Sequence, residues 1–595
     1  MYGYNGKFLL IDATTQNSSD VYFDEDVLRD YIGGTGLATW LLYKYCPRKV
    51  DPFDPENPII FCTSPLVGTK VTTSSKFAVV SKSPLTGLVG DSMSSSFLAT
   101  ELKATGYDAL VIKGSVPVWK FLVITENGVV FENAENLLGL STIETEDLLK
   151  KSYGDDYRVA TIGPAGENLV RFATISNDGG RQAGRTGVGA VMGSKKIKAL
   201  CIKGNLSTNS FNESSLSTKR KELSIKSIGN ATEKYRVIGT MANTSVFNRL
   251  NVLPSSNFRK GKIENIEVFE AESIYQDLEV KQAHCANCTI GCEKIVEIPG
   301  SKGDSTRLEY QSVFAMGPLV GSSNRRDMLE NVRYCDQMGL DTISAGATVA
   351  WYLECKEKEL TGEDDINLTT PGVVSSVLKK IVHREGIGDL LAEGVLRASK
   401  VLASGTGEKF AMHVKGLEMP GYEPRSLKTM ALALAVSTKG ACHNRSSVYE
   451  KDFAEVENRL DPLVTKGDLV ADSEDYSAVM DSLIWCKFIR KVFDDFYEDS
   501  AELLNDVTGW DVSASELKKT GERINNIKKL FNIREGWDKS SDTLPHRILN
   551  EPLDNGDKLS FEDLEIMISS YYIARGWTKS GRIPESKIRE LRLPL

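Results

Sequence analysis

Gly204-Asn-Leu-Ser-Thr-Asn-Ser-Phe-Asn-Glu-Ser-Ser-Leu-Ser-Thr218 divides this chain into two unlike halves. The stretch is polar and rich in Ser and Asn, with no apolar period of its own, so it reads as a boundary. Upstream of it, short β-branched and aromatic runs alternate with Gly and Ser turns. Lys7–Ile11, Ile59–Cys62, Phe77–Ser81, Ala109–Ile112, Phe121–Thr125, Val159–Ile162 and Ala199–Ile202 are predicted as strands. Downstream, helix formers and helical spacing dominate, with helices predicted over Met328–Met338, Val373–Glu385, Tyr476–Phe493, Ser513–Asn532 and Phe561–Arg575. A second boundary is expected near His413–Tyr422, where Gly416, Pro420 and Gly421 cluster. The expectation is an α+β chain: a β-sheet-rich part over 1–204, then two mostly α-helical parts over 205–415 and 416–595.

Composition bounds the setting. A chain of 595 residues with 41% hydrophobic and 26% charged residues has ordinary globular values, which excludes a fibrous or globally disordered protein. A net charge of -9 argues against nucleic acid as the main partner, because phosphate backbones call for a basic face. The opening Met1-Tyr-Gly-Tyr-Asn-Gly-Lys-Phe-Leu-Leu-Ile-Asp12 runs straight into a strand-like segment without the charged start and apolar core of a secretory signal. No apolar run approaches the length of a membrane span. The expectation is a cytoplasmic protein whose ten cysteines are thiols and ligands, not a disulfide framework.

Four of those cysteines carry chemistry. Cys285, Cys288 and Cys292 lie in His284-Cys-Ala-Asn-Cys-Thr-Ile-Gly-Cys292, and Cys486 closes Asp481-Ser-Leu-Ile-Trp-Cys486 far downstream. The spacing lets one tight turn present three sulfurs to an inorganic core, with the fourth stapling a second part of the chain to it. A structural zinc knot is the other reading, but it usually closes with a second local pair, and none is present. Asp336-Gln-Met-Gly-Leu-Asp341 echoes the second run, with an acid five residues before an acid or thiol, so two similar loops could clasp one roughly symmetric ligand. The Gly-rich run from Arg181 through Met192 and Gly193 suits a phosphate cradle or simply close packing. It lacks the Gly-Lys-Ser/Thr ending of a nucleotide P-loop.

Further motifs join these: Tyr31-Ile-Gly-Gly-Thr-Gly-Leu-Ala38, Ser83-Pro-Leu-Thr-Gly87, Gly106-Tyr-Asp-Ala109, Ile162-Gly-Pro-Ala-Gly-Glu-Asn168, Ala183-Gly-Arg-Thr-Gly-Val-Gly-Ala-Val-Met-Gly-Ser-Lys195, Gly440-Ala-Cys-His443 and Tyr571-Tyr-Ile-Ala-Arg-Gly-Trp577. With them the chain resembles, from end to end, the tungsten-containing aldehyde ferredoxin oxidoreductases. The resemblance implies an N-terminal sheet base for the cofactor beneath two helical domains. It implies a tungsten bis-pterin (tungstopterin) with magnesium bridging the pterin phosphates, and a nearby [4Fe–4S] cluster held by Cys285, Cys288, Cys292 and Cys486.

By the same resemblance, Asp336 and Asp481 meet the pterin amine edges, with Leu340 and Asp341 completing the first loop. Arg181, Gln182, Gly184 and Arg185 cradle phosphate, and Lys76 bridges pterin and cluster. Met93, through its backbone carbonyl, and Ser95 belong to the pterin and magnesium surroundings, Lys439 and Arg445 meet phosphate, and Lys487 donates to a sulfur or to a pterin. Trp485 stands where many relatives carry a smaller residue, and it is expected to reshape the wall of the site. His443 is the expected proton donor or acceptor beside the metal, since imidazole titrates near neutrality.

Gln311, in Leu308-Glu-Tyr-Gln-Ser312, holds the position usual for an active-site glutamate. An amide is no general base, though it can orient a carbonyl or water. Glu330-Asn-Val-Arg333 ends in arginine where some relatives have the histidine of an intersubunit mononuclear metal, so a homodimer would lack that bridge. The implied activity is oxidation of an aldehyde to a carboxylic acid, with ferredoxin or a partner subunit as electron acceptor. The alternatives are reduction of an acid or activated ring on the same fold, or a cluster-only electron-transfer subunit.

Overall fold

Period-two alternation builds the N-terminal part of the computed structural model, which describes residues 1–301, 303–362, 364–403, 405–454, 459–461 and 464–594. The first sheet contains β1 (Lys7–Asp12), β2 (Asn17–Tyr22), β3 (Ile59–Cys62), β4 (Lys76–Lys82), β5 (Val89–Ser95) and β6 (Ala109–Lys113), ordered β2-β1-β6-β3-β4-β5. The second contains β7 (Lys120–Thr125), β8 (Gly128–Asn133), β9 (Arg158–Thr161), β10 (Ile175–Asn177), β11 (Arg181–Ala183) and β12 (Ile197–Ile202), ordered β11-β10-β9-β12-β7-β8. Both sheets are mixed: β1 runs parallel to β6 and β12 parallel to β7, and the remaining pairings are antiparallel.

Alternate residues of each strand serve different cores. Leu9, Ile11, Ile59, Phe61, Phe77 and Val79 face Leu122, Ile124, Ala160, Ile162, Leu200 and Ile202 in one core shared by the two sheets. Their neighbours Phe8, Ile60, Cys62, Ala78 and Val80 turn the other way, onto the helix Gly34–Tyr45 and the helix Ala514–Glu535. On the outer face of the second sheet, Phe121, Val159 and Cys201 pack under Leu149 of the helix Thr142–Tyr153. Burial on both faces explains the continuous apolar runs in β3, β6 and β12.

After residue 204 the chain is mostly helical, as the sequence pattern predicts, apart from two small sheets, one of them the antiparallel pair His413–Val414 and Leu417–Glu418. The cysteine run is bracketed by a three-stranded antiparallel sheet, β13 (Val280–Ala283), β14 (Glu293–Glu297) and β15 (Ser305–Arg307). The predicted helix over Tyr476–Phe493 is shifted. The helix spans Lys466–Leu483 and stops where Ile484 takes a left-handed φ of 67°, so Cys486 lies outside it. Among the described residues no helix is long and apolar enough to cross a membrane.

Candidate functional site

Two helix ends aim the two acidic loops. The helix Arg325–Met338 stops at Gly339, with φ of 74°. Asp341 then caps the next helix, accepting from the Ile343 amide at 3.0 Å and from Ser344 Oγ at 2.7 Å. This loop docks on the second sheet: the Thr174 amide donates to the Gly339 carbonyl at 2.8 Å, the Asp341 amide donates to the Phe172 carbonyl at 3.0 Å, and Leu340 bridges to Ala173. The second loop, after Leu483, docks on the first sheet. Ser64 Oγ donates to the Leu483 carbonyl at 2.8 Å and the Cys486 amide to the Thr73 carbonyl at 3.0 Å. The glycines of Tyr31–Gly36 allow that approach; a Cβ on Gly34 would fall 2.1 Å from the Asp481 carbonyl oxygen. The sheets themselves meet along β5 and β10, where Ser94 Oγ donates to Asn177 Oδ1 and Asn177 Nδ2 to the Ser95 carbonyl, both at 2.6 Å. Each sheet thus carries one loop.

The cysteine run sits on the same ground. Thr289 donates its amide to Thr72 Oγ1 at 3.1 Å, Ala286 donates its amide to Ser96 Oγ at 2.6 Å, and the Cys285 thiol contacts Ser95 Oγ at 3.3 Å. Cys285, Cys288, Cys292 and Cys486 are half-buried, whereas the six other cysteines are buried. Burial pushes the Cys288 thiol up to about 11, and nearby Cys486 and Cys285 push in the same direction; Cys292 is raised further by burial and by Cys486, Cys285 and Cys288. All four thiols therefore share one electrostatic neighbourhood. Among the described residues no three His, Cys, Asp or Glu side chains are gathered tightly enough for a single ion. Lys76 stands beside the four thiols. Burial pulls its ammonium down, but Cys486, Cys285 and Asp481 outweigh that and raise it.

A buried cation cluster lies along β5. Asp91 meets Lys439 at 2.8 Å, Arg445 at 2.9 Å, and Lys528. Burial opposes ionisation of Asp91, yet Lys439, Lys528 and Arg445 hold its carboxyl well below the usual range. Arg445 also approaches Asp481 at 3.9 Å, and Lys487 pairs with Asp481 at 2.9 Å. Burial lowers Lys487 and takes Lys528 down to about 8. Five buried or half-buried cations, including Lys76, share two carboxylates here, an imbalance that a bound phosphate would offset. Sequence reasoning missed Asp91 and Lys528. Asp91 was within reach, because it shares a face of β5 with Met93 and Ser95 by strand period. Lys528 carried no signal, since a lysine in the helix Ala514–Glu535 reads as solvated until that helix is seen packed on the first sheet.

The Gly-rich run splits in two. Gly187, at φ of 75°, and Gly189 are packing positions, where a Cβ would fall 2.0 Å from the Arg171 carbonyl oxygen and 2.2 Å from that of Thr174. At Gly184 a Cβ would meet nothing closer than 3.6 Å, so that peptide is open to a ligand. Arg185 reaches Asp341 at 3.1 Å and the carbonyls of Ala441 and Glu418. Gln182 accepts from Thr174 Oγ1 at 2.6 Å and reaches the Asp336 carbonyl at 3.4 Å. Arg181 points away, to Glu293 and the His284 carbonyl, which puts it against the cysteine run. Burial pushes the Asp336 carboxyl up to about 7 despite Arg307. Met93 is half-buried in register with Ala78. The Trp485 ring is wholly buried and packs edge-on to Phe493 at 5.2 Å, in the apolar cluster that also holds Ile290 and Met480.

His443 opens a short 3-10 turn and lies 5.2 Å from the Tyr422 ring. Burial, with Arg185 and Lys439 adding to it, drops its imidazole to about 3, so the ring is neutral at pH 7. Its Nδ1 is buried without a protein partner, as is Nε2 of Gln311. The Gly421 amide donates to Gln311 Oε1 at 3.0 Å, and Tyr310 Oη donates to the Gly421 carbonyl at 2.5 Å. Gln311 and His443 are thus tied to consecutive residues, Gly421 and Tyr422. The donor set, the cation excess and the open Gly184 peptide all fit an iron–sulfur cluster beside a phosphate-bearing cofactor.

The chain matches known proteins along its whole length. The family model described as aldehyde ferredoxin oxidoreductase, N-terminal domain, matches residues 8–204, and that for domains 2 and 3 matches residues 217–593. The tungsten-containing aldehyde ferredoxin oxidoreductase of Pyrococcus abyssi is 35% identical, with 100% of this chain and 99% of the relative covered. An aliphatic sulfonate oxidoreductase, WOR-like subunit, of Pyrococcus furiosus is 30% identical over 99% of this chain and 97% of its own length. Among solved structures, the active site complex BamBC of benzoyl coenzyme A reductase with 1,5-dienoyl-CoA superposes with a TM-score of 0.87 at 24% identity, covering 100% of this chain and 97% of that one, a likeness of fold.

Proposed function

This chain belongs to the aldehyde ferredoxin oxidoreductase family, and from that premise we propose that it oxidises an aldehyde to a carboxylic acid in the cytoplasm, taking oxygen from water and passing two electrons singly to ferredoxin or an electron-transfer subunit. The observation that carries the reading is the meeting of the cysteine run, both acidic loops and the Asp91 cation cluster over the joined sheet edges. In this reading 1–204 is the cofactor base and 205–415 and 416–595 are the two helical covers. Cys285, Cys288, Cys292 and Cys486 hold a [4Fe–4S] cluster. Asp336, Leu340, Asp341, Asp481, Trp485 and Lys487 frame the amine edges of two pterins; Arg185, Gln182, Gly184, Lys439 and Arg445 receive their phosphates, with magnesium near Met93 and Ser95. Arg181 supports the cluster loop from the side.

Tungstopterin, when bound, supplies the two-electron acceptor. The protein's share is orientation and proton management. His443, whose Nδ1 is buried without a protein partner, is the proton acceptor for the hydrated carbonyl in this reading. Lys76, kept charged by Cys486, Cys285 and Asp481, offers N–H donors between thiolates and acid. The test is aldehyde-dependent viologen reduction by protein purified anaerobically after growth on tungstate. Activity that disappears in His443→Ala supports the reading; no activity across aliphatic and aromatic aldehydes in protein with full iron and tungsten refutes it.

A further inference from the structure

The Gly421 peptide is clasped from both sides by consecutive residues at the start of the helix Tyr310–Met316. Tyr310 Oη donates to its carbonyl at 2.5 Å, and its N–H donates to Gln311 Oε1 at 3.0 Å. The orientation of the Gln311 amide follows from chemistry, because only the carbonyl oxygen can accept from a backbone N–H. Nε2 therefore faces the other way, buried and with both hydrogens unclaimed by protein. The next residue, Tyr422, lays its ring 5.2 Å from His443 at a tilt of 32°, and Tyr449 backs it at 4.7 Å. Tyr310, Tyr422 and Gly421 are all buried. Phe247 braces the two tyrosine rings, at 5.1 and 5.5 Å. One rigid segment sets the Gln311 amide and the His443 imidazole together.

We propose that Gln311 is a hydrogen-bond donor to the substrate oxygen, and that Tyr310 and Tyr422 are positioning residues that aim Gln311 and His443 through the Gly421–Tyr422 segment. The inference rests on the proposed aldehyde oxidation and deepens it. A carbonyl or hydrate oxygen brings lone pairs, which match the Nε2 donors; with Oε1 already engaged, Gln311 has no free acceptor to offer. The site then holds one proton acceptor, His443, and one fixed donor, Gln311. A fixed donor aimed at an oxygen that gains charge acts without reorganising. The tyrosines act at one remove, so their effect falls on turnover more than on substrate capture.

The test uses tungsten-loaded holoenzyme of wild type, Gln311→Leu, Gln311→Glu, Tyr310→Phe, Tyr422→Phe and Tyr422→Leu. For each, kcat and KM are measured with an aldehyde and viologen, and the Kd of the matching carboxylate by calorimetry. Gln311→Leu is expected to lose about a hundredfold in kcat. Tyr310→Phe should lose about tenfold in kcat with KM within about twofold. Both should weaken carboxylate binding several-fold. Tyr422→Phe, which keeps the ring, should rescue the loss seen in Tyr422→Leu, and Gln311→Glu should add an ionisation to the pH profile of kcat. Wild-type kcat and Kd in Gln311→Leu would overturn the donor role. A Tyr310→Phe variant with lower melting temperature but unchanged kcat and Kd would overturn the positioning role. Failure of the parent reading looks different: wild type turns over no aldehyde, and the carboxylate Kd values alone then decide whether Gln311 is a donor.

Discussion

The backbone N–H of Cys486 donates to the carbonyl of Thr73 at 3.0 Å, and the neighbouring Thr72 accepts the amide of Thr289 from the cysteine run. One short segment before β4 therefore fixes the fourth thiol and the first three in a common frame. The frame belongs to the N-terminal part, so the thiols converge only when the cysteine run and the Asp481–Cys486 loop are both docked on it.

Removing one sulfur should empty the frame. Cys486→Ser is expected to lower iron and acid-labile sulfide well below the roughly four of each per chain that a [4Fe–4S] core holds. Cys201→Ser, in the outer core of the second sheet, should leave both unchanged. Full iron and an unaltered visible spectrum in Cys486→Ser would count against ligation by that residue.

The Asp91 cluster makes an electrostatic prediction. Asp91→Asn strands Lys439, Lys528 and Arg445 without their carboxylate, and breaking a buried pair of this kind costs about 3–5 kcal/mol. Because the Asp91 carboxyl is depressed in the folded chain, its contribution is complete above the unfolded carboxylate pKa and falls away as pH drops toward the folded one. Denaturant titration at pH 7 should show the loss, and added phosphate should recover part of it in the variant. Equal midpoints for the two proteins would sink the idea.

Much of the fold is legible in the sequence. Strand period marked β1, β3, β4, β6, β7, β9 and β12, because those strands are buried and rich in β-branched residues. The edge strand β5, Val89-Gly-Asp-Ser-Met-Ser-Ser95, was illegible for the opposite reason: its polar residues face the cation cluster and the cysteine run. The helix end at Ile484 was also hidden, since nothing local demands a left-handed isoleucine. Docking of Leu483 on Ser64 and of Cys486 on Thr73 imposes it. The Gln311 clasp needs a partner more than a hundred residues away in sequence, which no local pattern reports.

Gly34 tests how tightly the second loop is seated. Its φ of 45° already disfavours any side chain, and a Cβ would sit 2.1 Å from the Asp481 carbonyl oxygen. Gly34→Ala should displace the Asp481–Cys486 loop, so iron content and melting temperature fall together. A control, Gly87→Ala, has a φ of 69° but no atom within 4 Å, and should cost only about 1 kcal/mol with iron retained. Retention of iron in Gly34→Ala would show that the loop is held elsewhere.

His443 carries a pH signature separable from catalysis. Its pKa falls from 6.5 in the unfolded chain to about 3 when folded, chiefly through burial. Between those values the unfolded chain holds a proton that the folded chain lacks. Stability therefore rises with pH across the window, is complete above 6.5, and is lost as pH falls toward 3. His413, lowered to about 4, acts in the same direction, while Asp336 and Asp475, raised to about 7 and about 6, act against it. These three are common to wild type and His443→Gln, so they cancel in the comparison. The difference in stability between the two proteins should change by up to about 1.4 kcal/mol per pH unit between pH 4 and 6. Urea titrations across that range measure it, and parallel curves would mean that the imidazole is not held neutral by its surroundings.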